Sequence, residues 1–161
     1  MRCALSSWPG AIRTRSKRSG LADDCIYLFD GHCVLCSRGV RYVLKYERSP
    51  ELRFVAIQSE EGRRLAEANG VDPERPHTFL YVENGAALQR SDAVFALARK
   101  IGGPVRRFLF LRRLPRPVRD FFYDRIARNR YALFGRMKEC YLPAPETRAR
   151  FTLPEIPQRQ A

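Results

Sequence analysis

Apolar positions in this chain fall into short runs and helical stripes that alternate with each other. Residues 25–30 (CIYLFD) make an apolar and aromatic run closed by Asp-Gly, which predicts a buried strand. Cys36, Val40, Val43 and Leu44 then recur at helical spacing, with Arg38, Arg41 and Lys45 on the other side, until Ser49-Pro50 stops the helix. Residues 52–57 (LRFVAI) predict a second strand. Ser59 is placed to cap a helix whose first turn holds Glu60 and Glu61 and which stops at Asn69-Gly70. Residues 78–83 and 86–90 flank Asn84-Gly85, a strong hairpin signal because a type I′ turn needs positive φ at both central positions. A third helix opens at Ser91-Asp92, carries Val94, Phe95, Leu97, Ala98 and Ile101, and ends at Gly102-Gly103.

Two strands linked by helices and followed by an antiparallel pair predict an α/β fold with a mixed sheet covered on both faces. This is the order of a thioredoxin-like domain. Residues 104–135 alternate basic with large apolar side chains and predict one or two added helices. In these, Pro115 and Pro117 mark a start and Gly135 a stop, and Val118, Phe122, Ile126 and Leu133 are the expected packing face. The domain therefore spans residues 25–143. Residues 1–24 read as a basic, disordered extension and residues 144–161, broken by prolines, as a loosely ordered tail.

At 161 residues the chain suits one domain with a core of its own, and no run approaches the roughly 18 apolar residues of a membrane span. Its formal net charge of +13 is concentrated in residues 99–119, which hold eight Arg or Lys and no acid. That field suits an anionic membrane surface or an acidic partner, or is simply a solvated face; nucleic acid is not expected. Five cysteines (Cys3, Cys25, Cys33, Cys36 and Cys140) argue against a secreted disulfide framework and for a reducing, cytoplasmic compartment. Organellar import is the alternative if the Ser- and Arg-rich opening residues act as a transit peptide.

The chemistry centres on Cys33 and Cys36. A thiol attacks as its thiolate, and a helix N-terminus with its unpaired N–H groups favours that form. At the strand-to-helix junction Cys33 is the expected nucleophile. Cys36, one turn on, is the expected resolving thiol. His32 is a candidate modulator of the thiolate. Asp30 is a candidate proton acceptor when Cys36 attacks a mixed disulfide. A lone CxxC also fits half a zinc site, with Cys140, Cys25, His32 or His77 as the remaining candidates, or an inert pair.

Residues 30–36 (DGHCVLC) carry a DxxCxxC signature. With the Asn84-Gly85 hairpin, Ser91-Asp92-Ala93, residues 126–131 (IARNRY), Phe134-Gly135, Cys140 and Leu142-Pro143, the chain resembles the DCC family (DUF393) of thiol-disulfide oxidoreductases. The resemblance implies a thioredoxin-like enzyme acting on protein or small-molecule thiols and disulfides. Well-characterised thioredoxins place a cis-proline immediately before the third strand, where substrate backbone docks. Here Pro76 is nearest, separated from Phe79 by His77 and Thr78, which implies a narrower substrate range. No Gly-rich dinucleotide fingerprint is present, so no cofactor is expected and electrons should come from an upstream thiol reductant.

Overall fold

The computed structural model describes residues 12–13, 25–83 and 85–154. Six strands make one sheet: β1 (Ile12–Arg13), β2 (Cys25–Phe29), β3 (Leu52–Ala56), β4 (Leu80–Glu83), β5 (Ala86–Gln89) and β6 (Phe151–Thr152), in spatial order β1-β5-β4-β2-β3-β6. β2 pairs parallel with β3 and antiparallel with β4, and β4 pairs antiparallel with β5. Helices α1 (Val34–Tyr46), α2 (Glu60–Ala68) and α3 (Arg90–Ile101) fill the connections, giving the mixed α/β fold expected.

The two faces of the sheet follow the strand period of two. Cys25, Tyr27 and Phe29 of β2 join Leu52, Phe54 and Ala56 of β3 under α1 and α3, while Ile26, Leu28 and Val55 pack with Ala66 of α2 on the other face. Ser59 caps α2 as its sequence predicts, its hydroxyl accepting from Gly62 N–H at 3.1 Å. Gly85 has the positive φ the hairpin needs, at 73°, whereas Asn84 lies outside the described residues. No peptide bond among the described residues is cis, Pro76 included.

At the chain's ends one expectation lies almost wholly outside the described residues and one is corrected. Of residues 1–24, read as a disordered extension, only Ile12 and Arg13 lie within the described residues, and they add an edge strand on β5. The stretch after Pro143, read as loosely ordered, forms a 3-10 helix (Pro145–Arg150) and then β6, which pairs parallel with β3. The reason is a pair of anchors invisible to local composition. Phe151 stacks on Phe54 with ring centres 4.6 Å apart, and Arg150 meets both carboxylate oxygens of Glu47 at 2.6 Å while donating to Leu52 C=O. Residues 155–161 lie outside the described residues.

A second correction concerns the segment after α3. It is a 3-10 helix (Pro104–Arg113) followed by α4 (Arg116–Phe134), closed at Gly135 with φ 90°. The apolar face expected to pack does not: Val118, Phe122, Ile126 and Leu133 are exposed, together with Phe108, Phe110 and Phe121. α4 docks instead through Tyr123, Ala127 and Arg130 and through charge. Arg116 and Arg119 hold the buried Asp92 of α3 at 3.1 and 3.2 Å, Ser91 donates to Asp120, and Arg90 pairs with Asp124 at 3.6 Å. Counting apolar positions selected the wrong face because the docking surface is largely polar.

Phe151→Ala should lower stability by roughly 2 kcal/mol, less than the ~3–5 kcal/mol of a fully buried phenylalanine, because Phe151 keeps part of its surface in water. Urea denaturation of the two proteins measures this.

Candidate active site

The site is built where β2 runs into α1. Cys33 is the N-cap of α1, with extended backbone (φ −89°, ψ 118°), and its sulfur accepts the Cys36 N–H at 3.3 Å. This is the capping arrangement of Ser or Asp with sulfur as acceptor, and it favours the anion there. Cys36 also donates its S–H to Cys33. That bond, with the backbone N–H and the Arg130 charge, outweighs burial and the Asp30 carboxylate and brings the Cys33 pKa down to about 6. The same bond, burial, and the nearby Cys33 and Asp30 charges push the Cys36 pKa well up. The two shifts run in opposite senses, favouring the anion at Cys33 and the neutral thiol at Cys36.

Access divides the other way. Cys33 is fully buried at 0% exposure, while Cys36 is half-buried. The cover comes from the chain after α4, which runs antiparallel along the loop that precedes α1. Arg136 bridges Cys33, Met137 N–H donates to His32 C=O at 2.8 Å, and Tyr141 N–H donates to Gly31 C=O at 3.0 Å. Gly31 permits the close approach, since a Cβ there would meet Cys140 Sγ at 2.2 Å.

Asp30 lies beneath this loop, buried and ringed by donors. Its Oδ2 accepts from Arg130 Nη2 at 3.0 Å and from the Tyr131 hydroxyl. Its Oδ1 accepts from Gln58 Nε2 at 2.8 Å and His32 N–H at 3.0 Å. Burial alone would raise the Asp30 pKa, but these bonds outweigh it and hold the carboxyl below its ordinary value. A carboxylate held ionised in this way is a poor acceptor for a proton. His32, the proposed modulator, takes part through its backbone N–H and C=O. Sequence reasoning missed Gln58 and Tyr131 as partners of Asp30. The dense Arg128-Asn129-Arg130-Tyr131 run was the available signal, but its partner is 100 residues away.

Beside Cys36 a cavity of about 530 Å³ lies between the sheet, α1, α3 and α4. Its walls include Tyr27, Phe79, Val43, Leu97, Ala98 and Ile126, with Asp30 and Arg130 also lining it. At its edge Tyr123 of α4 shares a hydrogen bond with Thr78 Oγ1 at 3.1 Å and accepts from Phe79 N–H at 3.4 Å. The Phe79 N–H just before β4 is therefore occupied. His77 lines the same cavity, and Cys140 lies against Gly31 with its pKa raised by burial. Among the described residues no group of three or more His, Cys, Asp or Glu side chains gathers to hold a metal ion, so the zinc alternative has no ligand set in this region.

A family model described as DCC1-like thiol-disulfide oxidoreductase matches residues 27–136, and the chain belongs to that family. It is 37% identical over 126 residues to the uncharacterized protein YuxK of Bacillus subtilis, covering 78% of this chain and 92% of YuxK. It is 41% identical over 118 residues to the DCC family protein At1g52590, chloroplastic, of Arabidopsis thaliana, covering 73% of this chain and 69% of that protein. No solved structure gives a significant match.

Arg130→Met should cost about 3–5 kcal/mol in urea titrations near neutral pH, because it strands a buried carboxylate. The double variant with Asp30→Asn should recover part of that loss. Since folding depresses the Asp30 pKa, its contribution is complete above the unfolded value of about 3.9 and is lost as pH falls through the lower folded value. Asp30→Asn should therefore flatten the acid limb of the stability–pH curve.

Proposed function

We propose that the protein is a thiol-disulfide oxidoreductase whose reactive centre is the Cys33–Cys36 pair. The observation that carries this reading is geometric: Cys33 caps the N-terminus of α1 with its sulfur on the Cys36 N–H at 3.3 Å, an arrangement that favours the thiolate at Cys33. The sequence alone favours Cys33 as first attacker and Cys36 as resolving thiol. The depressed pKa supports Cys33 as the resident thiolate, but its burial gives first contact with substrate to Cys36. In the proposed order the shared proton moves to Cys33, Cys36 attacks the substrate disulfide, and Cys33 then closes on the Cys36 sulfur to release product. Asp30 acts here by fixing Arg130 and the loop, and His32 by its backbone bonds. Partners are thiols or disulfides and an upstream thiol reductant. The composition favours a cytoplasmic, reducing setting. Organellar import stays part of the proposal because one relative is named chloroplastic.

Trapping separates the two orders. Cys33→Ser should accumulate a mixed disulfide on Cys36, read by intact mass and peptide mapping. Accumulation only in Cys36→Ser would restore the Cys33-first order, and no adduct in either variant would end the redox reading. A second outcome follows from the depressed Cys33 pKa. The reduced protein should gain stability relative to the oxidised form as pH rises from about 6 towards the unfolded thiol value of about 8.5, and lose that gain on acidification.

The exposed phenylalanines and arginines of residues 106–122 support a second reading alongside the first, peripheral contact with an anionic bilayer. No helix among the described residues is long and apolar enough to cross a membrane. Salt-sensitive binding to phosphatidylserine vesicles, undiminished by Cys33→Ser and weakened by Phe121→Ser with Phe122→Ser, is the expected outcome in flotation assays.

A further inference from the structure

The cavity beside Cys36 has features that the exchange chemistry alone does not require. Its volume of about 530 Å³ falls in the ordinary range for small-molecule sites, about 300–1,000 Å³. Apolar side chains supply most of its wall, and the polar residues Asp30 and Arg130 are already paired with each other. A charged or strongly hydrated molecule would lose water there with little in return. An extended peptide meets a different obstacle. Tyr123 already accepts from Phe79 N–H and holds Thr78 Oγ1, so the N–H that leads into β4 is not free to pair with a substrate strand.

One polar group is left over. Arg130 is buried and lines the cavity, and its Nε–H has no hydrogen-bond partner among the described residues although its other nitrogens are engaged. A buried, charged donor without an acceptor is costly in a resting protein. It becomes useful if negative charge develops within its reach during reaction.

We propose that this cavity is the substrate site and that it takes a small disulfide with apolar groups on both sulfurs, presenting it to Cys36 with Arg130 beside the departing sulfur. The proposal rests on the oxidoreductase reading above and names its substrate class. The pair starts with Cys36 as S–H and Cys33 as S⁻. After the proton passes to Cys33, Cys36 Sγ bonds to one substrate sulfur and the substrate S–S bond breaks. Its electron pair leaves on the second sulfur as a thiolate, stabilised by Arg130. Cys33 then gives up the proton to that thiolate and attacks Cys36 Sγ, forming the Cys33–Cys36 disulfide and expelling the first sulfur as thiolate. The substrate gains two electrons and the cysteine pair loses two. One thiol and one thiolate leave, matching the one proton present at the start. The reverse sequence oxidises two apolar thiols.

The test compares two dialkyl disulfides of similar intrinsic reactivity, dibutyl disulfide and bis(2-hydroxyethyl) disulfide, on the full reduced chain. Each rate is divided by the rate of the same disulfide with dithiothreitol. The wild-type protein should favour dibutyl disulfide by about tenfold or more, as expected when a few CH₂ groups are buried in the reaction complex. Ala98→Phe, which adds a ring to the cavity wall, should collapse that preference towards one. Ile126→Trp narrows the cavity from an exposed position and should reduce the preference even if Ala98→Phe does not fold. Equal normalised rates for the two disulfides would overturn the proposal while leaving the oxidoreductase reading standing, as would a preference that survives both variants. Faster reaction with a disulfide-bonded protein than with dibutyl disulfide would overturn it in favour of a macromolecular substrate. Failure to react with any disulfide would end both readings.

Discussion

The rest of the molecule is arranged around one buried carboxylate. Asp30 cannot remain ionised out of water unless its oxygens are met by donors, and four groups from three parts of the chain meet them. Gln58 comes from the turn after β3, His32 N–H from the cysteine loop itself, and Arg130 and Tyr131 from α4. Satisfying Asp30 therefore sets the position of α4 relative to β2. Position in turn decides the electrostatics of the thiols, since Arg130 lowers the Cys33 pKa while Asp30 opposes it. α4 and the strand-like run behind it are thus part of the site, although they follow the thioredoxin-like order of strands and helices in sequence.

This arrangement separates two properties that a reactive thiol usually combines. Charge is placed on Cys33, where a helix N-terminus, a neighbouring S–H and a guanidinium stabilise it. Access is placed at Cys36, which faces an apolar space. The cysteine whose pKa is lowered is sheltered, and the one that keeps some exposure has its pKa raised. Shelter matters because oxidants find exposed thiolates first. In the proposed order a shared proton links the two states and passes reactivity across the pair without moving the backbone.

Much of the fold was legible because its signals are local. β2, α1, β3, α2, the β4–β5 hairpin and α3 all follow from period, caps and turn residues, within a few residues of their predicted bounds. The position of Cys33 at a helix start was readable for the same reason. What stayed hidden depends on partners far along the chain. The face of α4 was misassigned because Asp92, Asp120 and Asp124 dock it through ion pairs and hydrogen bonds, while Phe122 and Leu133 remain in solvent. β6 was missed because two residues give no periodicity and Phe151 is held by Phe54. The dense Arg128–Tyr131 run gave no sign that its partner was Asp30, 100 residues away, and the cover over Cys33 arises only when residues 136–141 fold back.

These distances along the chain have a consequence for how the protein is made. Asp30 meets Arg130 across 100 residues, and Glu47 meets Arg150 across 103. During synthesis the cysteine loop leaves the ribosome long before the helix that tunes and covers it. Until then Cys33 has neither its guanidinium nor its shield. The nascent chain therefore passes through a stage in which its two thiols are open to the surrounding solution, and maturation of the centre is governed by closure of its most distant contacts.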